Sequence, residues 1–260
     1  MKKMKRRLGD RTDLLVKVEP DFSPSCRRLT PGPGYLEALA QPNVEYVTTA
    51  IAGLTKAGNR TTDGQVRNVD AVICCTRSEK SFASPFPVVN RGVNLASAWK
   101  AGGSIGYPIT YLGIAALGFP NLFFVNGPNA ASATGTLPFA TENQLTFIAR
   151  ILRKVQRQGI RTVTSSIQTT ENFRAYHEAY FLKTVISEEC SSWFNGGIKG
   201  GRVIANWPGS GLHANNVRKN PRWEDWEYTY RSESGNRFAY FGNEWTKKDV
   251  EVKSRSYKRG

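Results

Sequence analysis

The sequence contains few of the residues that build metal centres, with four Cys and two His among 260 residues. Neither His177 nor His213 lies at metal-ligand spacing from a cysteine, and no two cysteines form a C-x-x-C pair. The cysteines are Cys26, Cys74, Cys75 and Cys190. The pattern therefore predicts no zinc site, and no residue is assigned as a metal ligand.

Long hydrophobic runs are also missing. The best run, "YLGIAALGF", has nine residues and two glycines, whereas a helix that spans a bilayer needs about 20 apolar residues. The first residues, "MKKMKRRLGDRTDLL", are basic but have no apolar core of the kind found in signal peptides. We expect a cytoplasmic protein with no membrane span.

Acidic residues are scarce relative to basic ones, and the formal net charge is +15. Such a balance raises the possibility of nucleic-acid binding, which depends on clustered Lys and Arg. The basic residues concentrate at the two ends, in "MKKMKRR" and "KKDVEVKSRSYKRG", and no helix-turn-helix or platform of stacking aromatics lies between them. We expect no nucleic-acid partner.

The sequence has no G-x-G-x-x-G fingerprint for a dinucleotide pyrophosphate, although its pattern is of the α/β type. The first 75 residues predict a basic helix, a short helix, a strand and a β-meander that ends in an apolar strand. Their predicted positions are 2–18, 35–40, 44–47 and 51–75, with the last strand at 71–75.

The clearest helix follows a predicted strand at 122–125 and a loop of small residues. Thr141 is the expected N-cap, the apolar period runs from Leu145 to Val155, and Gly159 ends the helix. A further helix is predicted over 171–184, and the aromatic-rich remainder from Val185 is predicted to be loop-like.

The loop between that strand and helix has the geometry that presents backbone N–H groups to an anion or to the polar edge of a cofactor. Its glycines, Gly127 and Gly135, do not have the spacing that lets a pyrophosphate approach the backbone. The loop is therefore predicted to hold something other than a pyrophosphate.

Three stretches in this order resemble the C-terminal part of Baeyer–Villiger-type flavin-containing monooxygenases of the fungal kind. They are "PDFSPSCRRLTPGPGYLEALAQPNVEYV", "PNLFFVNGPNAASATGTLPFATENQ" and "SSWFNGGIKGGRVIANWPG". The resemblance implies a partial Rossmann-like fold with two dinucleotide-binding domains and an aromatic-rich C-terminal extension. It divides the chain into a remnant of the NADP-binding domain at 1–48, part of the FAD-binding domain at 49–184, and the extension at 185–260.

Members of this family use FAD, NADPH and oxygen to insert an oxygen atom beside a ketone carbonyl. Arg28 matches the arginine that lies over the flavin and stabilises the negatively charged flavin peroxide, and Arg27 is the fallback. A surface arginine pair before a Pro/Gly turn is the alternative interpretation of these two residues.

The resemblance also implies a set of cofactor-binding residues. The loop is similar to the one that lies along the flavin ring, with the positive end of the following helix directed at the ring. Trp193 matches a tryptophan that contacts the nicotinamide cofactor, and a rim or core aromatic is its alternative. The matching residues are Gly127, Pro128, Asn129, Thr134, Gly135, Thr136, Thr76 and Trp193.

Three departures from the family pattern are visible. Arg77 follows Thr76 where relatives have a glycine that lets the backbone approach the flavin. The span "WKAGGSIGYPITYLGI" is longer than its counterpart, and both glycine fingerprints of the N-terminal half are absent.

Three hypotheses follow from these departures. The chain is a C-terminal piece without independent oxygenase activity, from a truncated gene or a sequence that misses upstream exons. Alternatively, it docks onto a separately encoded N-terminal half and completes the flavin pocket, or it is a flavin-independent isomerase or cyclase that uses Arg28. We expect a small ketone as the substrate of an active form, and marginal stability or a homo-oligomer, because parallel strands would lack their neighbours.

Overall fold

The structure, a computed structural model, describes residues 2–26, 32–75, 82–132, 135–242 and 245–257, with side chains described as far as residue 252. The chain divides into two compact units, residues 1–79 and 80–260. The described part of the first unit contains three short helices and three strands: α1 (Lys2–Leu8), α2 (Asp13–Val18), α3 (Tyr35–Leu39), β1 (Ile51–Leu54), β2 (Gly58–Thr61) and β3 (Val66–Asn68).

The predicted helix over 2–18 is two helices. Gly9 adopts a left-handed conformation, with φ of 60°, directly after α1, and such a residue ends a helix because it turns the chain out of the helical path. Arg7 of α1 binds Glu37 of α3 through Nε at 2.6 Å. This hydrogen-bonded ion pair lowers the pKa of Glu37 to about 2.

The predicted β-meander is present as an antiparallel sheet in the order β1–β2–β3. The predicted strands at 44–47 and 71–75 are wrong, because both segments are irregular. Neither segment pairs with a strand in the described part of the chain, and an apolar sequence alone does not supply the hydrogen-bonding neighbour that a strand needs. Cys74 and Cys75 are exposed free thiols.

The second unit contains five helices and six strands in its described part. These are β4 (Val89–Asn90), β5 (Val93–Asn94), α4 (Leu95–Ala98), β6 (Thr110–Tyr111), β7 (Ala115–Ala116), α5 (Leu137–Arg157), β8 (Ile160–Ser165), α6 (Ile167–Phe181), α7 (Gly211–Val217), β9 (Trp226–Tyr230) and α8 (Lys247–Tyr257).

Helix α5 begins five residues earlier than predicted. Thr136, rather than Thr141, precedes the helix, and Pro138 lies in its first turn. Proline fits that turn because its fixed φ is helical and its missing N–H would have no partner there. Helix α6 also starts earlier than predicted, since the Ser166 side chain accepts a hydrogen bond from the Thr169 N–H and caps it.

The core of the second unit surrounds an antiparallel pair that the sequence patterns did not predict. Strand β8 pairs with β9 from the region expected to be loop-like. Trp226 of β9 packs against Phe147 of α5 and edge-on against Tyr111 of β6, with ring centroids 6.3 and 5.5 Å apart. The C-terminal region thus completes the core of this unit.

The fold is mixed α/β. All named strand pairs in the described residues are antiparallel, so the parallel pairing typical of the expected Rossmann-like fold is not found among them. Parallel pairing occurs as an isolated bridge between Ala131 and Asn206. Within the described ranges, no helix is both long and apolar enough to cross a membrane.

Candidate functional site

The loop that precedes α5 is held in place by Gln144, a fully buried residue of that helix. The Gln144 Oε1 accepts a hydrogen bond from the Asn126 N–H at 2.9 Å. Its Nε2 donates to the Ala140 carbonyl, one turn earlier in α5, at 3.1 Å. The start of the loop is therefore fixed relative to the helix that follows it.

Asn129 connects this loop to three other parts of the second unit. Its Oδ1 accepts from the Thr110 N–H of β6 at 2.9 Å, and its own N–H donates to the Ile204 carbonyl at 2.8 Å. Its Nδ2 lies 3.3 Å from the same carbonyl and 3.2 Å from the His177 Nε2 of α6. Asn129 is completely buried and has a φ of 61°, a conformation that asparagine tolerates better than most residues. Its side chain holds the loop, so a ligand would meet the loop through other groups.

Gly127 lies where a side chain has no room. A Cβ atom at this position would be 2.5 Å from the Cβ of Phe124, a separation that forces one of the residues to move. Pro128 beside it is buried as well. The tight packing keeps the loop close to the preceding segment, which contains an isolated bridge from Phe123 to Ala115 in place of the strand predicted at 122–125.

Among the described residues, the N-terminus of α5 is open. Thr136 makes no side-chain hydrogen bond to the helix, and the first turn has no acidic residue. Gly135 and Thr136 are exposed, as is Leu137. The first N–H groups of a 21-residue helix carry partial positive charge and favour an anionic group. This end of α5 can receive one without displacing a side-chain cap.

The segment with Trp193 lies next to the loop. Trp193 begins a 3₁₀ turn that ends at Asn195, and Phe194 accepts hydrogen bonds at its carbonyl from the Ile204 and Ala205 N–H groups. The Ala205 carbonyl in turn accepts from the Ala131 N–H at 3.0 Å. Trp193 is half-buried, with its ring 4.8 Å from that of Phe194. The turn that contains Trp193 and the loop are thus both hydrogen-bonded to the same segment, 204–207.

His177 is buried beneath this arrangement. Its Nε2 lies 2.9 Å from the Asn206 carbonyl, and its ring packs at a tilt against that of Phe181, with centroids 4.7 Å apart. Burial disfavours the charged imidazolium and lowers the pKa of His177 to about 4. At neutral pH the ring is uncharged and serves as a hydrogen-bonding support for the Asn206 backbone.

Arg218 at the end of α7 is the largest fully buried side chain in the described part of the chain. Its Nε donates to the Leu112 carbonyl at 2.8 Å, and its guanidinium lies 4.5 Å from the centre of the Trp207 ring. A Cβ at Gly113 would lie 2.6 Å from the Arg218 Nη2 and 3.0 Å from the Asn129 carbonyl. Burial lowers the pKa of Arg218 to about 10. The residue supports the β6–β7 turn, on which the loop rests.

Several predicted site residues lie outside the described residues. They are Arg28 with its fallback Arg27, Thr76 with the neighbouring Arg77, and Thr134. Their assignments remain predictions that rest on the resemblance. Among the predicted residues that the structure describes, Gly127, Pro128 and Asn129 form the buried half of the loop. The exposed half contains Gly135 and Thr136.

The residues that the sequence did not single out are Gln144, His177, Asn206 and Arg218. Gln144 could have been found in the sequence, because it is a polar residue that interrupts the hydrophobic face of α5. The other three acquire their roles through contacts with segments far away in the sequence, so no local pattern marks them.

The described residues fit the ring of a flavin cofactor better than its pyrophosphate. The uncapped α5 N-terminus and the adjoining loop suit the electron-rich edge of a planar ring. The sequence offers no glycine fingerprint for the pyrophosphate. No grouping of three or more metal-binding side chains occurs in the described part of the chain.

No protein-family profile matches the chain. Among curated proteins, it is 34% identical over 239 residues to the FAD-binding monooxygenase stcW of Emericella nidulans, an alignment that covers 91% of this chain and 38% of the relative. It is 30% identical over 200 residues to a Baeyer–Villiger monooxygenase of Pseudomonas aeruginosa, covering 76% of this chain and 37% of the relative. The chain therefore spans less than half the length of these relatives.

Solved structures show the same fold. A closed crystal structure of cyclohexanone monooxygenase superposes with a TM-score of 0.75 at 22% identity, covering 88% of this chain and 43% of that one. An oxidised steroid monooxygenase bound to NADP gives a TM-score of 0.72 at 20% identity, with 87% and 43% covered. At these identities the structural likeness establishes the fold alone.

Proposed function

We propose, from the homology of this chain to FAD-binding and Baeyer–Villiger monooxygenases, that it forms the ring-edge part of a flavin monooxygenase and is not active alone. The observation that carries this proposal is the open N-terminus of α5, which follows a tightly packed loop and has no side-chain cap. In the complete enzyme, FAD and NADPH would supply the oxidative chemistry, with oxygen insertion beside a ketone as the reaction.

The chain's own residues would act by position and by charge. The first N–H groups of α5 would face the flavin edge and stabilise negative charge there, since a helix N-terminus is electropositive. Asn129, Gln144 and Arg218 would hold the loop in the required place. Trp193 would offer an aromatic face to the nicotinamide cofactor, and Arg28 would stabilise a negatively charged oxygen at the reacting centre.

The Rossmann-like architecture also belongs to this proposal. A doubly wound domain places its pyrophosphate glycines in its first strand–helix turn, and this sequence has none. The remaining part of the enzyme would therefore provide the central parallel strands and the pyrophosphate site, while this chain adds the loop and helix at the ring.

A second function, that of a docking half, is favoured by the outer face of α5. Leu137, Leu145 and Leu152 are each more than half exposed along this helix. A shallow, mainly apolar groove lies along the first three turns, and Leu137, Pro138, Leu145 and Ala149 are among its lining residues. An apolar row on an otherwise amphipathic helix marks a contact surface. We propose that it packs against the portion of the relatives that this chain does not match.

The test of the main proposal is a chimera in which this chain replaces the matching part of the Emericella nidulans relative. We expect the chimera to hold one FAD per chain and to oxidise NADPH when a ketone is supplied. Thr136→Asp should weaken FAD binding by at least about tenfold, because a carboxylate at the N-cap occupies the open N–H groups and repels the electron-rich edge.

The control is Ser210→Asp at the N-cap of α7, where the serine side chain already accepts a hydrogen bond from the His213 N–H. This exchange introduces the same charge at another helix and should leave FAD affinity unchanged. Equal FAD affinity in the wild type and the Thr136→Asp chimera would rule out a role for the α5 N-terminus at the flavin.

The docking function has its own readout. Leu145→Ser and Leu152→Ser together should abolish association of this chain with the separately produced remainder of the relative, measured by sedimentation velocity. Leu212→Ser, which changes a leucine on α7 that is 78% exposed, should not affect it. Association that survives the α5 changes would contradict this interface.

A further inference from the structure

The end of the second unit carries an exposed group of aromatic side chains. Phe238 and Phe241 are 57% and 62% exposed, and Tyr240 is 43% exposed. Their rings lie against one another, with centroids 5.5 Å apart for the two phenylalanines and 4.9 Å apart for Tyr240 and Phe241. Trp245, which follows in the sequence, is 52% exposed. Clustered exposed aromatics of this kind mark an interaction surface rather than scattered surface residues.

This aromatic group lies beside the basic end of α5. A Cβ at Gly159 would be 3.9 Å from the Cβ of Tyr240, and the Arg231 N–H donates to the Gly159 carbonyl at 2.8 Å. Arg157 is the last residue of α5, and Arg153 lies one turn earlier. The aromatic–basic patch consists of Arg153, Arg157, Arg231, Phe238, Tyr240 and Phe241.

The positive charge of the patch is not neutralised locally. Arg153, Arg157 and Arg231 form no ion pair with a carboxylate among the described residues. Between residues 231 and 260 the sequence has eight Lys and Arg against four Asp and Glu. Helix α8 continues this basic segment, with Lys247 and Lys248 exposed in its first turn. The patch therefore combines apolar rings with a surplus of cations.

We propose that the aromatic–basic patch binds the surface of an anionic lipid bilayer. Aromatic rings partition to the level of the lipid headgroups, where one part of the ring meets hydrocarbon and another meets water. Lys and Arg beside them are attracted to anionic headgroups within a Debye length. A small polyanion would use the cations but not the apolar rings. The rings lie tilted or edge-on to one another, with interplanar angles of 48° and 78°, so they do not form a row of parallel faces on which successive nucleic-acid bases could stack.

The binding is peripheral. The patch has no apolar segment long enough to enter the bilayer. It needs both its rings and its basic side chains, because a few interfacial rings or a few cations alone give marginal, reversible attachment. We therefore expect the chain to distinguish anionic from neutral bilayers and to release from anionic ones at high salt.

The test is co-sedimentation of the full 260-residue chain with phosphatidylcholine vesicles, with and without phosphatidylserine. We expect at least about tenfold tighter binding to the anionic vesicles at moderate ionic strength, weakening steeply with salt. Phe238→Ser with Phe241→Ser, at exposed positions that the core does not use, should reduce the affinity about tenfold. Arg153→Gln with Arg157→Gln should reduce it similarly and flatten the salt dependence.

Two control pairs match these changes. Lys100→Gln with Lys183→Gln removes the same charge from other exposed positions of the second unit, and Leu182→Ser with Leu212→Ser removes exposed apolar groups elsewhere. Both controls should bind as the wild type does. A loss as large in the charge control would assign binding to the overall charge of the chain and overturn the proposal.

Other outcomes would overturn it as well. Equal binding to neutral and anionic vesicles, or binding that the phenylalanine pair does not affect, excludes the proposed combination. A wild-type dimer that dissociates in the phenylalanine variant, without any binding to vesicles, would show that the patch contacts a second copy of the chain instead. None of these results depends on flavin binding.

Discussion

The two units of the chain differ in how well their apolar residues are covered. In the second unit, Phe147, Ile151, Ile160 and Val163 are buried around Trp226 in one cluster. In the described part of the first unit, the buried apolar side chains are Leu8, Leu14 and Cys26, and the sheet β1–β3 leaves Ile51, Leu54 and Val66 exposed. The second unit therefore has a core of its own, whereas the described part of the first has a sheet with exposed apolar side chains.

This difference fits a chain that spans about two fifths of its curated relatives. A three-stranded sheet needs an apolar face packed on something to be stable. We expect the first unit to be the less stable of the two. The contrast can be tested by changing matched residues in both units.

The largest expected difference is between two isoleucines in strands. Ile160→Ala in β8 removes a completely buried side chain, and Ile51→Ala in β1 removes one that is 61% exposed. The first change should cost about 2 to 5 kcal/mol in the free energy of unfolding, and the second should lie within about 0.5 kcal/mol of zero. Urea unfolding, with hydrogen exchange read for peptides of each unit, measures both. Equal losses of unfolding free energy in the two variants would contradict the difference in burial between the units.

A pH titration should separate the units next. The pKa of His177 is lowered to about 4 from its ordinary 6.5, so the unfolded chain binds the proton first as the pH falls. The second unit should therefore be fully stabilised above about pH 6.5 and should lose stability on acidification to about pH 4, by roughly 3 kcal/mol from this residue. Hydrogen exchange at pH 7.5, 6, 5 and 4 follows this loss.

His177→Gln should flatten that loss in peptides of the second unit. In the first unit, the lowered pKa of Glu37 gives a loss in the same direction but at lower pH, since its stabilisation is present above about pH 4.5 and is lost toward pH 2. Peptides of the first unit should thus change little between pH 6.5 and 4.5. A wild-type and a His177→Gln protein with the same slope would contradict the assignment of a buried neutral imidazole.

The smallest expected effect concerns two tyrosine hydroxyls. The Tyr111 hydroxyl donates to the buried carboxylate of Asp225 in the core, and burial raises the pKa of Tyr111 well above its ordinary value. Tyr111→Phe should cost about 1 to 3 kcal/mol because the buried Asp225 carboxylate loses its hydroxyl donor and keeps the exposed Arg222, at 3.2 Å, as its partner. Tyr228→Phe removes a longer, exposed bond to the Trp223 carbonyl, at 3.3 Å, and should cost less than about 0.5 kcal/mol. Thermal unfolding of the two variants makes the comparison, and equal costs would contradict it.

Local patterns in the sequence predicted the elements whose signals lie close together along the chain. The period from Leu145 to Val155 predicted α5, and the meander predicted β1–β3. The start of α5 was predicted too late because Thr141 resembles a cap, whereas Pro138 fits the first turn. Strand β9 escaped prediction because its partner β8 lies more than 60 residues away, a pairing that no local pattern records.

The candidate site divides in the same way. The loop around Gly127 and the helix that follows it were predicted as a unit, because strand, small residues and helix are consecutive. Two contacts that hold the loop were not predicted: that of Asn129 with His177 and that of Arg218 with the β6–β7 turn. They join residues 48 and 106 positions apart in the sequence. The role of Arg28 rests on resemblance alone.

The most direct test of the central claim is an FAD titration of the purified chain, followed by flavin absorbance in the protein fraction and by quenching of tryptophan fluorescence. The account predicts no stoichiometric FAD on the chain alone, because the pyrophosphate glycines are missing, and one FAD per chain once it is joined to the unmatched portion of a relative. Saturable binding of one FAD by the chain alone would contradict the claim that this chain holds only the ring edge.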